Sequence, residues 1–231
     1  MGGGVSETWQ ESFGRASPGK IICVGRNYRA HAGEEGAELP AAPLLFAKFA
    51  SAVVGPGEPI ELPVGIGHVD AEAELAVVIG ATARSISTAR ALTVVAGYTV
   101  ANDVSAREAQ FGDGQWFRGK GYDTFCPVFP HFVGQDAVGA DGDLRVTQRL
   151  NGMVMQDAST NDLIFDVATI VAYCSAVCTL EPGDLILTGT PEGCGYFRDP
   201  RVSLHAEDVV EVAIEGIGAL TNPVVERSAA E

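Results

Sequence analysis

Asp70-Ala-Glu-Ala-Glu-Leu-Ala-Val-Val-Ile-Gly80 is the stretch on which the fold turns. Val69, Ala71, Ala73, Leu75, Val77 and Ile79 are apolar, while His68, Asp70, Glu72 and Glu74 between them are polar. That period of two marks a β-strand. Glu72 and Glu74 then share a face, about 7 Å apart along the backbone. Two carboxylates that close repel, and one has its pKa raised unless a cation sits between them. The residues alone leave two readings open: a half-exposed strand with an acidic outer face, or half of a divalent-metal site.

Outward from this strand the chain reads as short strands and turns. Lys20–Gly25, Leu44–Phe49, Val94–Val100 and Leu185–Leu187 are short apolar runs, and Val209 to Ile214 alternates. Asn151-Gly152, flanked by Leu144–Leu150 and Met153–Gln156, is a strong hairpin signal. Helical spacing marks Asn161–Cys178, and Ser87 is placed to cap a short helix ending at Leu92. Between Arg26 and Pro43 periodicity is lost, as in a long loop of the kind that serves as a lid. Strands outnumber helices without alternating with them, which predicts a β-rich α+β fold. Residues 1–19, with only Trp9 and Phe13 as anchors, read as a loosely docked or disordered tail, and 226–231 as a second tail around a single domain.

Composition narrows the function. The chain has 231 residues and a net charge of -15, which argues against tracking of nucleic-acid phosphates or of an anionic membrane. An anionic substrate would need that field reversed locally, by a metal or a few cationic side chains. Five cysteines without a C-x-x-C pair suit a reduced, cytoplasmic chain. No apolar run is long enough to span a bilayer.

Three further groups could carry chemistry. Asp103 ends an apolar strand and is either a turn cap or a third carboxylate; with Glu72 and Glu74 it would suit Mg²⁺ or Mn²⁺, which prefer hard oxygen ligands. His31 and Glu34, spaced i,i+3, meet if one helical turn forms, and a carboxylate beside an imidazole suits water activation. Lys120 lies in Gly114-Gln-Trp-Phe-Arg-Gly-Lys-Gly121, a near-match to a phosphate loop. The match fails at Gly121, where a hydroxyl is needed for magnesium, and Trp116 and Phe117 would crowd the phosphates. Lys120 is thus either a solvated surface lysine or a cation brought to a ligand by glycines and aromatic neighbours.

Taken together, Gly25-Arg-Asn-Tyr28 with His31 and Glu34, Asp70-x-Glu72-x-Glu74-Leu75, Asn102-Asp103-Val-Ser-Ala-Arg107, Lys120-Gly-Tyr-Asp-Thr-Phe-Cys-Pro127, Asn151-Gly152 and Leu187-Thr-Gly-Thr-Pro191 resemble the fumarylacetoacetate hydrolase family over 20–225. The resemblance implies a mixed β-sandwich roll, a homodimer, and one Mg²⁺ or Mn²⁺ held by Glu72, Glu74 and Asp103. It implies a substrate carbonyl or enolate contact for Lys120, substrate-carboxylate contacts for Arg107, Gln110 and Thr190, and a lid-borne dyad in His31 and Glu34. The chain departs from the family pattern at Gly121, Tyr122 and Glu207. The activity implied is hydrolysis of a C–C bond in an acylpyruvate-like 2,4-dioxo acid through a pyruvate enolate. Oxaloacetate decarboxylation and hydroxy-dienedioate isomerisation are the alternatives, and a catalytically silent metal-binding homologue is the outlying one.

Overall fold

The computed structural model describes residues 7–14, 17–34, 36, 38–138 and 143–227. Seven strands form its main sheet, in the spatial order Glu7–Thr8, His131–Gly134, Val95–Asn102, Ala73–Ile79, Leu185–Leu187, Ile21–Gly25 and Leu44–Lys48. A second sheet runs Met153–Ser159, Arg145–Leu150, Val209–Ile214, Gly218–Glu226 and Ile60–Leu62. Pairing is mostly antiparallel, with parallel pairs where Leu185–Leu187 meets Ile21–Gly25 and where Gly218–Glu226 meets Ile60–Leu62. The fold is α+β, a β-rich mixed sandwich roll. Among the described residues no helix is long and apolar enough to cross a membrane.

Ala73–Ile79 lies inside the main sheet, between Val95–Asn102 and Leu185–Leu187, and all seven of its residues are buried. Leu75, Val77 and Ile79 pack into one core with Val146, Val212 and Leu220 of the second sheet. Ala76 and Val78 turn the other way, to a core with Trp9, Cys23, Leu185 and Leu187. The half-exposed strand is therefore excluded, because both faces are covered. Glu74 shares the face of Ala76 and Val78, and Glu72 leads into it, so two carboxylates only 1% and 4% exposed enter the protein interior.

The Asn151-Gly152 hairpin forms as expected, with φ of 51° and 81° at its two turn residues. The long helix is shorter than its spacing suggests and runs Val167–Val177. Asp166 takes the N-cap, accepting from the Thr169 N–H at 2.8 Å, while Ile164 and Phe165 donate their N–H groups to Asn27 instead of to a preceding turn. Ser87 does precede a short helix, Thr88–Ala91, but makes no side-chain cap bond. Glu207 adopts a left-handed backbone with φ 75°, consistent with a position that favours glycine.

The N-terminal segment also departs from expectation. Thr8 and Glu11 form a capping box for the helix Trp9–Phe13. Trp9 is 3% exposed, packs edge-on against Phe132, and donates its ring N–H to the Gly183 carbonyl at 3.1 Å. One buried indole with a satisfied N–H is enough to dock a short segment, so residues 7–14 are not a loose tail. Residues 1–6, 15, 16 and 228–231 lie outside the described residues.

Candidate active site

The site begins where strands end. Asp103 follows Val95–Asn102, and its N–H donates to the Glu72 carbonyl at 2.9 Å. The Glu72 N–H in turn donates to the Asn102 side-chain oxygen at 3.0 Å. This crossing of backbone brings the carboxylate oxygens of Glu72, Glu74 and Asp103 within 4.8 Å of one another. All three are buried.

Three buried cations surround them. Lys120, the last residue of the short helix Phe117–Lys120, bridges Glu72 Oε2 at 2.5 Å and Asp103 Oδ2 at 2.8 Å. Arg107 opens the helix Arg107–Gly112 and binds Glu72 Oε1 at 2.5 Å and Asp70 Oδ1 at 2.8 Å, while donating to Gln110 Oε1 at 3.0 Å. Lys48 ends the strand Leu44–Lys48 and pairs with Asp103 Oδ1 at 2.6 Å. It also donates to the carbonyls of Val104, Lys120 and Phe125 at 3.1, 2.5 and 2.7 Å.

The carboxylates respond unequally. Burial pushes Glu72 up, but Arg107 and Lys120 overcome it and hold the group well below the usual carboxylate range. Glu74 goes the other way: burial, then Asp103 and Glu72, raise it well above its ordinary value. The positive charge of Lys120, and after it the Gly189 N–H that donates to Glu74 Oε2 at 2.6 Å from a left-handed glycine at φ 103°, offset only part of that rise. Among the described residues no cation lies within ion-pair distance of Glu74. A buried carboxylate with no ion-pair partner of its own, beside two more hard oxygen donors, fits Mg²⁺ or Mn²⁺. Lys120 is lowered by burial but raised more by Asp103 and Glu72, which favours its ammonium form.

His31 and Glu34 lie on one short helix, Arg29–Glu34, with Nδ1 and Oε2 3.1 Å apart. In the tautomer with the proton on Nδ1, that contact is a hydrogen bond to the carboxylate and Nε2 is the basic nitrogen. Glu34 is held in turn by the Gly193 N–H at 3.0 and 3.2 Å. The helix is anchored by Asn27, which donates to the Phe165 and Thr188 carbonyls, and by Arg29, which donates to Leu163.

One cavity is lined by His31, Glu72, Glu74, Asp103, Arg107, Gln110, Lys120 and Thr190, and Glu34 pairs with His31. Arg107 is committed to Asp70, Glu72 and Gln110, which makes it a holder of Glu72 more than a substrate contact. Thr190 Oγ1 donates to the Ala73 carbonyl and accepts from Gln156. Sequence reasoning assigned no role to Arg26, which lines the same cavity with its guanidinium 5.6 Å from the Trp116 ring centre. It also assigned none to Asp70 or Lys48. The available signal for Lys48 was a lysine closing an apolar strand.

A family model described as fumarylacetoacetate (FAA) hydrolase, C-terminal, matches residues 20–225. The chain belongs to the fumarylacetoacetate hydrolase family. Family relatives include oxaloacetate tautomerase fahd2, mitochondrial, of Xenopus laevis, 46% identical over 90% of this chain and 66% of its own length. Oxaloacetate tautomerase FAHD2A, mitochondrial, of Homo sapiens is 45% identical over 90% of this chain and 67% of its own. The chain thus spans about two thirds of the length of these relatives. Among solved structures, 5-carboxymethyl-2-hydroxymuconate delta-isomerase from Mycobacterium smegmatis superposes with a TM-score of 0.82 at 44% identity, covering 93% of this chain and 81% of that one. The chain is an enzyme of this family, similar to tautomerases and isomerases.

Proposed function

We propose that this enzyme interconverts the enol and keto forms of a small 2-oxo dicarboxylate such as oxaloacetate, by proton transfer at the carbon next to the 2-oxo group. The observation that carries the proposal is that the His31–Glu34 dyad and the three carboxylates with Lys120 line, or stand directly behind, one cavity. The names of the tautomerase relatives support the same reading.

Glu72, Glu74 and Asp103 would hold Mg²⁺ or Mn²⁺, which supplies Lewis acidity toward the 2-oxo group. His31 Nε2 would take the proton from carbon, with Glu34 stabilising the imidazolium through Nδ1. The Lys120 ammonium would stabilise the charge that develops on the enolate oxygen, and reprotonation there completes the enol. Arg26 is the candidate for the distal carboxylate. Assembly as a homodimer, measurable by light scattering, and a cytoplasmic location belong to the same proposal.

Hydrolysis of an acylpyruvate is the second reading, because a carboxylate-oriented imidazole can deprotonate water as readily as carbon; decarboxylation would use the same enolate. A panel of enol oxaloacetate, acylpyruvates and hydroxy-dienedioates with Mg²⁺ separates them. Loss of enol absorbance without release of pyruvate supports tautomerisation, and consumption of an acylpyruvate alone would replace it with hydrolysis. His31→Ala should lower turnover by about 10²–10⁴-fold while leaving Mn²⁺ affinity intact. Loss of metal binding in that variant would place His31 among the ligands instead.

A further inference from the structure

A second cluster of metal-ligating atoms lies beside the carboxylate triad and has different chemistry. One nitrogen of His31, one oxygen of Glu34 and the sulfur of Cys194 lie within 4.8 Å of one another. Cys194 is fully buried. Its neighbour Gly193 donates its N–H to Glu34, which fixes that carboxylate against the loop carrying the thiol. The thiol has only long, weak polar neighbours: Gln156 Nε2 at 3.6 Å, the Pro191 carbonyl at 3.8 Å and Glu72 Oε1 at 3.9 Å.

The two clusters divide metals by softness. Three carboxylates suit a hard ion, whereas one imidazole, one carboxylate and one thiolate suit Zn²⁺, with a fourth position left for solvent. We propose that His31, Glu34 and Cys194 form an inhibitory Zn²⁺ site that removes the dyad from use. Binding exchanges the Cys194 thiol proton for the metal; the proton leaves to solvent, and thiolate plus carboxylate neutralise the ion. His31 then gives its lone pair to zinc and has none for substrate. The ion also adds a metal-mediated link between the helix Arg29–Glu34 and the loop after Leu185–Leu187, beside the Gly193 N–H bond to Glu34 already there.

The inhibitory half of this inference rests on the dyad being catalytic; the binding half does not. The test uses the full chain in saturating Mg²⁺, with Co²⁺ as a spectroscopic probe that reports thiolate ligation and is silent on the carboxylate triad. A thiolate-to-cobalt charge-transfer band is expected in the near ultraviolet, saturating at one Co²⁺ per chain and erased by Zn²⁺. It should vanish in Cys194→Ser, and Zn²⁺ should inhibit that variant less strongly than the unsubstituted chain by at least the about 10–100-fold that loss of an outer-shell partner costs. Absence of the band in the unsubstituted chain overturns the proposal, and that measurement stands even if Cys194→Ser fails to fold. A band that persists in the variant, or equal inhibition of both proteins, overturns it as well, since zinc would then act elsewhere. If no tautomerase activity exists, the band still decides the metal site, so the two readings fail separately.

Discussion

Glu74 is the carboxylate that most needs a cation. Its folded-state pKa lies well above 4.5 through burial and its two acidic neighbours, so it favours the native state most when protonated. That contribution is complete below about pH 4.5 and is lost as pH rises toward the folded value. Metal-free protein should therefore lose stability from this group on going from pH 5 to pH 8. Glu74→Gln removes the loss: its Tm advantage over the unsubstituted, metal-free chain should grow with pH. Mg²⁺ should raise the Tm of the unsubstituted chain, by about 2.7 kcal/mol of stability at 100 times Kd, and leave the variant unmoved. Lys120 presents the converse case. Its ammonium is bound to two of the three candidate ligands, so it would oppose a metal there while serving the enolate of the proposed mechanism. Lys120→Met should bind Mn²⁺ more tightly in a calorimetric titration and yet turn over about 10²–10³-fold more slowly. Weaker metal binding would show that Lys120 supports the ligands instead of competing.

Elements carry the site by their ends. Ala73–Ile79 presents Glu74, Val95–Asn102 delivers Asp103, and Leu44–Lys48 sends a lysine under both the 104 and 120 segments. Lys48→Met would strand Asp103 without one of its ion-pair partners and leave three carbonyls unsatisfied. A loss of about 3–5 kcal/mol in urea unfolding is expected, far more than a surface lysine could cost. The strand and hairpin were legible because their periods and turn residues are local properties. The helix start was not: Asn161 to Phe165 have helical spacing, but the N–H and C=O groups of Asp162 to Phe165 are claimed largely by Asn27 and Arg29. Trp9 could be seen as an anchor, but its acceptor at Gly183 is 174 residues away. Eight of the nine candidate site residues stood in recognisable motifs and Gln110 came from the family resemblance alone; the commitment of Arg107 to Asp70 and the place of Lys48 were not legible, because both depend on which strand ends converge.

For the whole molecule, the contrast is between its global charge and its local one. The chain carries a net charge of -15, yet among the described residues the only buried lysines and arginine are Lys48, Arg107 and Lys120, all at the site. Asp70, Glu72, Glu74 and Asp103 face them, so even there the acids outnumber the cations and a divalent metal would reverse the sign for an anionic substrate. The most direct test is the rate at which enol oxaloacetate disappears in the presence of chelator-stripped protein, followed by absorbance before and after Mg²⁺ is added. The account predicts no acceleration by stripped protein and a Mg²⁺-dependent rise, beyond that of Mg²⁺ alone, that Glu72→Ala abolishes. Equal rates with and without metal, or full activity in Glu72→Ala, would contradict it.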